Sequence, residues 1–451
     1  MSQSGRKFYI LWVVPVFLAG LFFWGRSIKA QRTHDKSSLR TRIESLLGGS
    51  QSASLIGLGG GEGQGSISPE LMYEEILEAV KAKFVDDTFS DPKVSNGSLN
   101  RMFASLNDPR SNYLDVKMRQ TRMDALLGNF EGVGAVVQYT RTKKDSVDYQ
   151  NLTIVAVMPG SPAEKAGLKS GDNVMDINGH GVITYGIGVD VDKIIRNNVK
   201  TDAQKREELK VLSEKYRQAY TLPKALLQMT TGAGATLNLK VTRDGKETPI
   251  TVTTAKTTVD PVQYKMIGKV GYLRVLLFNG KATAAFEQAL KALQAQATKG
   301  IVIDLRQNPG GVVSDNGDIN GFQSAKTLLS DIAGAINAQL ERKPNVHEPL
   351  KIGDGAGIKA PCIVLVDKGT SNIAEFVAST LHDTHKTKII GARTFGDPVL
   401  QLFTLFKNGT GAELATAHFL TMAGAQWTNG IQPDVSAGDN ALDQAVSALG
   451  G

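Results

Sequence analysis

The sequence predicts an α/β core in the carboxyl-terminal half, preceded by a mainly-β domain, a small helical domain and an apolar segment long enough for a transmembrane helix. Three observations predict it. Residues 8–25 carry no charge and are rich in Phe, Trp, Leu and Val. Between about 128 and 254, short strand-like runs alternate with Gly- and Pro-containing turns. From about 262 onward, continuous apolar runs alternate with stretches of helical periodicity, the pattern of crossover connections.

The elements follow in chain order. Arg6-Lys7 precedes the apolar run, which as a helix spans about 27 Å, enough for a hydrocarbon core. A cleaved signal peptide is the alternative. The apolar region is long for one, and Ile28-Lys29-Ala30 is a poor cleavage site, so residues 1–30 are expected to be an uncut signal anchor. Arg26, Lys29, Arg32, Lys36, Arg40 and Arg42 follow the span, and this asymmetry alone places the following chain in the cytoplasm. Residues 31–67, Gly- and Ser-rich from 48 to 66, read as a flexible linker that cannot bury enough apolar surface to fold.

Residues 68–127 are expected to form the helical domain. Ser68-Pro69-Glu70 is a good helix start, and Met72, Ile76, Leu77, Val80 and Phe84 share one face. Leu99, Met102, Phe103 and Leu106 belong to a second helix that stops at Asn107-Asp108-Pro109. Residues 128–256 form the mainly-β domain, with strands expected at 152–157, 173–177 and 237–241. A Lys- and Glu-rich insertion at about 200–221 places Leu209, Leu212 and Tyr216 at helical spacing, an amphipathic helix with one solvated face. Residues 257–451 form the α/β core, with strands at 270–275, 301–305, 363–366 and 388–390 and helices at 286–293 and about 372–382.

Composition limits the function. The chain has 451 residues, 41% hydrophobic and 21% charged, with a formal net charge of +7. Much of the basic excess lies beside the apolar segment, and no basic face interleaved with aromatics is visible, so no nucleic acid is expected. The single cysteine, Cys362, cannot form an intrachain disulfide and sits in an apolar run as a small hydrophobe. His382 and His385 flank Asp383 and Thr384 without a third evident ligand, so no metal and no cofactor are expected.

Three motifs carry a resemblance. Phe130-Glu131-Gly132-Val133-Gly134-Ala135-Val136 resembles the loop that opens a PDZ domain, whose glycines let backbone N–H groups converge on a peptide's terminal carboxylate. Ser161-Pro162-Ala163-Glu164-Lys165-Ala166-Gly167-Leu168, with Gly171-Asp172 and Ile177-Asn178-Gly179, resembles the PDZ segment that follows. Ile301-Val302-Ile303-Asp304-Leu305-Arg306-Gln307-Asn308-Pro309-Gly310-Gly311 resembles the strand and turn of carboxy-terminal processing proteases, also called tail-specific proteases. Asn107-Asp108-Pro109-Arg110-Ser111-Asn112-Tyr113-Leu114, Thr394-Phe395-Gly396 with Gln401, and Gly430-Ile431-Gln432-Pro433-Asp434 resemble further segments of that family.

The resemblance implies an α/β core of the tail-specific protease type with an inserted PDZ domain, placed in the periplasm or otherwise outside the cytoplasm. That opposes the charge asymmetry. It implies a Ser–Lys dyad, tail capture at Gly132, Val133, Gly134 and Ala135, an oxyanion site near Gly310 and Gly311, and Asp383 near the active site, where its plain role is hydrogen bonding at the helix end. The sequence departs from the family at the dyad. With Glu375 setting the register, the serine position is Asn372, and Asp397 follows Thr394-Phe395-Gly396 where lysine is expected.

An amide is no nucleophile at neutral pH, and an ionised Asp repels an oxyanion. The expected function is therefore a pseudoprotease that binds C-terminal tails or partner proteins, with an active protease relative as one candidate partner and a homo- or hetero-oligomer as one candidate state. Two alternatives stand beside it. One is an active endopeptidase using Ser371 with another base. The other is an assembly subunit whose PDZ groove is blocked by the insertion.

Overall fold

The computed structural model describes residues 69–83 and 90–451, apart from 145, 231, 298, 355 and 356. The expected signal anchor at 8–25 and most of the linker lie outside the described residues. Among the described residues, no helix is long and apolar enough to cross a membrane. The chain divides into two units, 1–87 and 88–451.

In the first unit, the helix Pro69–Lys83 forms where the Ser-Pro-Glu start predicts it. Met72, Tyr73 and Ile76 are exposed on it. In the second unit, the helix Asp91–Ser105 has Pro at its amino end and is followed by Asn107 at φ 56°, which turns the chain. A further helix, Val116–Leu126, has no apolar stripe in its sequence. Asp115 caps it by accepting from Met118 N–H at 2.8 Å.

The mainly-β domain is a sheet of Ala135–Lys144, Val147–Val157, Asn173–Ile177, Thr236–Arg243 and Lys246–Thr253, in that order, with the short strand His180–Gly181 paired to Asn173–Ile177. The three expected strands are present. The alternation of buried and exposed residues in Thr236–Arg243 marks a sheet with one solvated face. The insertion forms the helix Asp202–Gln218, opened by a capping box of Thr201 and Gln204. Leu209, Leu212 and Tyr216 are half-buried on it.

The core holds a sheet ordered Val262–Ile267, Val270–Val275, Gly300–Asp304, Cys362–Val366, Lys388–Gly391 and Val435–Ser436. The first pair is antiparallel and the rest parallel. Every residue of Gly300–Asp304 and of Cys362–Val366 is buried, because helices such as Gly280–Gln294 and Gly321–Ala333 on one side and Ala441–Ala448 on the other cover both faces.

A second core sheet joins Asn112–Leu114, Gly411–Leu420, Ile336–Lys343 and Val346–Ile352, with Val399–Leu405 paired to Gly411–Leu420. The sequence reading did not anticipate this antiparallel sheet, which ties the end of the helical region to the far end of the chain.

Candidate functional site

Three loops leave the carboxyl ends of adjacent parallel strands and meet, the usual place for a site in an α/β sheet. After Gly300–Asp304 comes the turn with Gly310. After Cys362–Val366 come Ser371 and Asn372. After Lys388–Gly391 comes Asp397. These loops carry the candidate residues of the sequence reading, and the sheet order brings them together. A Cβ at Gly310 would lie 2.7 Å from Asn372 Cβ, so only glycine fits where these two turns touch.

Asn372 begins the helix Ile373–His385 with φ 55° and ψ −121°, a sharp strand-to-helix turn of the kind that presents a nucleophile. A non-glycine residue held there costs about 1–3 kcal/mol. The amide side chain that the turn carries cannot attack a carbonyl. Asn372 Nδ2 donates to Val399 O, and its Oδ1 has no protein partner. Ser371 is fully buried, its N–H donates to Asn308 O at 2.9 Å, and its Oγ has no partner.

Glu375, one turn into the same helix, binds the loops together. Its carboxylate accepts from Asn372 N–H at 3.0 Å, Thr394 Oγ1 at 2.5 Å, Gly396 N–H at 2.7 Å and Asp397 N–H at 2.8 Å. Burial pushes its pKa up to about 7, against these hydrogen bonds that favour the ionised form.

Asp397 is fully buried and pairs with Arg110 Nε, while its Oδ2 has no partner. Burial raises its pKa, and the Arg110 guanidinium works the other way. Arg110 comes from the Asn107-Asp108-Pro109-Arg110 turn and is held by Gln401 Nε2 donating to its carbonyl at 3.0 Å. Sequence reasoning placed Arg110 in a family motif without giving it a role. The only signal for one was that a buried Asp needs a cation. An arginine–aspartate pair cannot replace a neutral lysine, because guanidinium does not deprotonate in proteins.

Other expected residues stand differently. Asp383 lies near the carboxyl end of the helix that Asn372 begins, about 16 Å along its axis. It accepts from Met422 N–H at 3.0 Å and does not border Asn372. His382 bridges Asp383 and Asp434 at 3.3 Å each. Partial burial opposes its protonation, but the two carboxylates outweigh that and raise its pKa. Among the described residues, no group of three or more His, Cys, Asp or Glu is placed to hold a metal. The Gly310 N–H donates to Asn308 Oδ1 at 2.8 Å, so in this arrangement it is not free for an oxyanion.

In the β domain, Val133 N–H donates to Met229 O at 2.8 Å, which occupies one donor of the expected carboxylate loop. The Gly132 and Gly134 carbonyls accept from Ala255 and Met158, at 2.9 and 3.1 Å. Ala135 opens the outer strand of the sheet. Between that strand and the helix Leu222–Thr230 lies a cavity of about 120 Å³. Val137, Leu226 and Leu227 line one part of it, and Arg110, Gln401 and Glu413 another. No residue of the Asp202–Gln218 helix lines the cavity, so the insertion does not fill it. A second space of about 10 Å³ is bordered by Val136 and Gln138 of the outer strand and by Gly310 and Gly311.

Comparisons with known proteins agree with this arrangement. Residues 269–437 match the family model for peptidase family S41, and residues 153–202 match that for a PDZ domain. The chain is 27% identical over 362 residues to a carboxy-terminal processing protease, CtpA, of Bacillus subtilis, covering 80% of this chain and 67% of that protein. It is 28% identical over 373 residues to a carboxy-terminal-processing protease of Bartonella bacilliformis, covering 80% and 74%. It is 26% identical over 399 residues to a chloroplastic C-terminal processing peptidase of Tetradesmus obliquus, covering 82% and 78%. Among solved structures, a photosystem II D1 C-terminal processing protease superposes with a TM-score of 0.58 at 21% identity, over 86% of this chain and 98% of that one, a likeness of fold.

Proposed function

We propose that this homologue of the carboxy-terminal processing proteases, with its peptidase family S41 and PDZ domains, is a pseudoprotease that captures C-terminal tails without cutting them. One observation carries the reading. The two loop positions that would hold serine and lysine hold Asn372 and Asp397, both buried, the first bonded to Val399 O and the second paired with Arg110. Neither a nucleophile nor a neutral base is present there. Loss of either in a serine protease lowers turnover on the order of a million-fold. The groove between the outer strand Ala135–Lys144 and the helix Leu222–Thr230 has the form for tail capture, in which a peptide adds as a strand.

The apolar run at 8–25 supports anchoring of the chain in a membrane, with the folded part on the extracytoplasmic side, as the resemblance implies. Carbonate extraction that releases the chain would refute the anchor.

The function is tested by incubating the purified protein with an unfolded protein bearing an apolar C-terminus and following both binding and cleavage. Binding without cleavage, unchanged by Ser371→Ala, is the expected result. Cleavage abolished by Ser371→Ala would make the chain an enzyme and Ser371 its nucleophile.

A further inference from the structure

Gln307 sits in the turn between the Gly300–Asp304 strand and Gly310, with φ 58°. Its side chain bonds in two directions. Toward the PDZ domain, Oε1 accepts from Val157 N–H at 2.8 Å and from Ser170 Oγ at 3.1 Å. Toward the core, Nε2 donates to Asp367 Oδ2 at 2.6 Å, while its backbone N–H donates to Asp367 Oδ1 at 3.0 Å.

Each end of this bridge leads to a functional element. Val157 is the cross-strand partner of Ala135, where the tail-binding strand begins. Asp367 Oδ1 accepts from Gly369 N–H at 2.9 Å, and Asp367 N–H donates to Thr370 Oγ1 at 3.0 Å. Ser371 and Asn372 follow directly. Gly369 is pressed against the Gln307 amide so closely that a Cβ there would lie 2.6 Å from Nε2. Asn308, the next residue after Gln307, accepts from Ser371 N–H at 2.9 Å and from Gly310 N–H at 2.8 Å. Phe395 runs parallel to this path. It packs on the cluster containing Val136, Val155 and Met158, and its N–H donates to Thr370 O at 3.0 Å.

We propose that Gln307 is the latch through which the position of the PDZ domain sets the turn at Ser371 and Asn372. A single amide supplies the acceptor for one domain and the donor for the other, so movement of Val157 pulls on the residue whose neighbours fix that turn. An ion pair between the same two parts, Lys368 with Asp244 at 3.6 Å, is solvent-exposed and holds little. The latch is a positioning device and holds whether or not the chain cleaves peptides.

The test is hydrogen–deuterium exchange on the intact chain with no ligand added, comparing Gln307→Ala with the parent. Peptides covering 155–159 and 369–373 are expected to exchange faster together, by about tenfold, the factor for loss of one net hydrogen bond. Peptides covering 173–177 and 362–366, in the interiors of two sheets, are expected to be unchanged. Faster exchange confined to 155–159, or in neither segment, overturns the proposal. Should Gln307→Ala loosen the whole fold, Gln307→Glu decides. It keeps the acceptor for Val157 and Ser170 but sets a carboxylate against Asp367. Faster exchange at 369–373 with 155–159 still protected is then expected, and an unchanged 369–373 refutes the latch.

Discussion

Removing Arg110 is predicted to destabilise the chain far more than removing the charge it faces. The Asp397 side chain is 0% exposed, whereas that of Arg110 is 27% exposed. Arg110→Ala strands a carboxylate that water cannot reach, and breaking a buried pair in that way costs about 3–5 kcal/mol. Because the pair has one partly solvated member, the lower end, about 3 kcal/mol, is expected at pH 7. Asp397→Asn leaves a guanidinium that can still be hydrated, in a cavity of unchanged shape, and should cost no more than about 1 kcal/mol.

The pH dependence has a definite sign. Burial already raises the Asp397 pKa with Arg110 present. A raised carboxyl contributes stability that is fully present below its unfolded value and is lost as pH rises through the folded value. Removing Arg110 lifts the folded value further, so the cost of Arg110→Ala should shrink on going from pH 7 to pH 5, by at most about 1.4 kcal/mol per unit. Urea unfolding followed by the fluorescence of Trp427, the single tryptophan from residue 67 onward, measures it. Equal costs for the two changes, or a pH-independent Arg110→Ala, would refute the reasoning.

Two further outcomes follow from the same geometry. Glu375→Gln should cost about 3 kcal/mol, because the N–H₂ that replaces one carboxylate oxygen would face two of the four donors. With the Glu375 pKa raised to about 7, the stability it adds is present below the ordinary carboxylate range and lost as pH rises through neutrality. The parent should therefore weaken between pH 5 and pH 8, and Glu375→Gln should flatten that slope in urea titrations. Leu226→Asp, a charge in the apolar part of the groove, should weaken binding of an apolar-tailed peptide at least tenfold by fluorescence anisotropy, on the order of 1.4 kcal/mol.

Much of the fold was legible because local signals agreed with the tertiary structure. Ile301 to Leu305 read as a buried strand because a parallel strand covered on both faces must be continuously apolar. The Asp202–Gln218 helix was legible from its own periodicity, and the structure adds the Thr201–Gln204 cap. The Val116–Leu126 helix did not, since its polar sequence shows no stripe and its order rests on a cap and its neighbours. Asp383 hydrogen-bonds at the helix end as its plain role predicts, accepting from Met422 N–H, while the unbroken helix carries it away from Asn372, a consequence of rise per residue that a motif match does not contain.

By itself, the sequence determined the α/β pattern of the core, the motifs that resemble PDZ and protease segments, and the residue types at Gly310, Asn372 and Asp397 beside them. Each of these depends on residue type and on spacing along a short stretch of chain. Only the tertiary structure decided that Arg110 neutralises Asp397 across 287 residues, that Met229 takes the Val133 N–H, and that Asn308 takes the Gly310 N–H. The physical reason is that burial raises the cost of an unpaired charge or backbone donor, so most of them find a partner. Which partner each finds depends on which loops the sheet order sets side by side, and no local pattern records that.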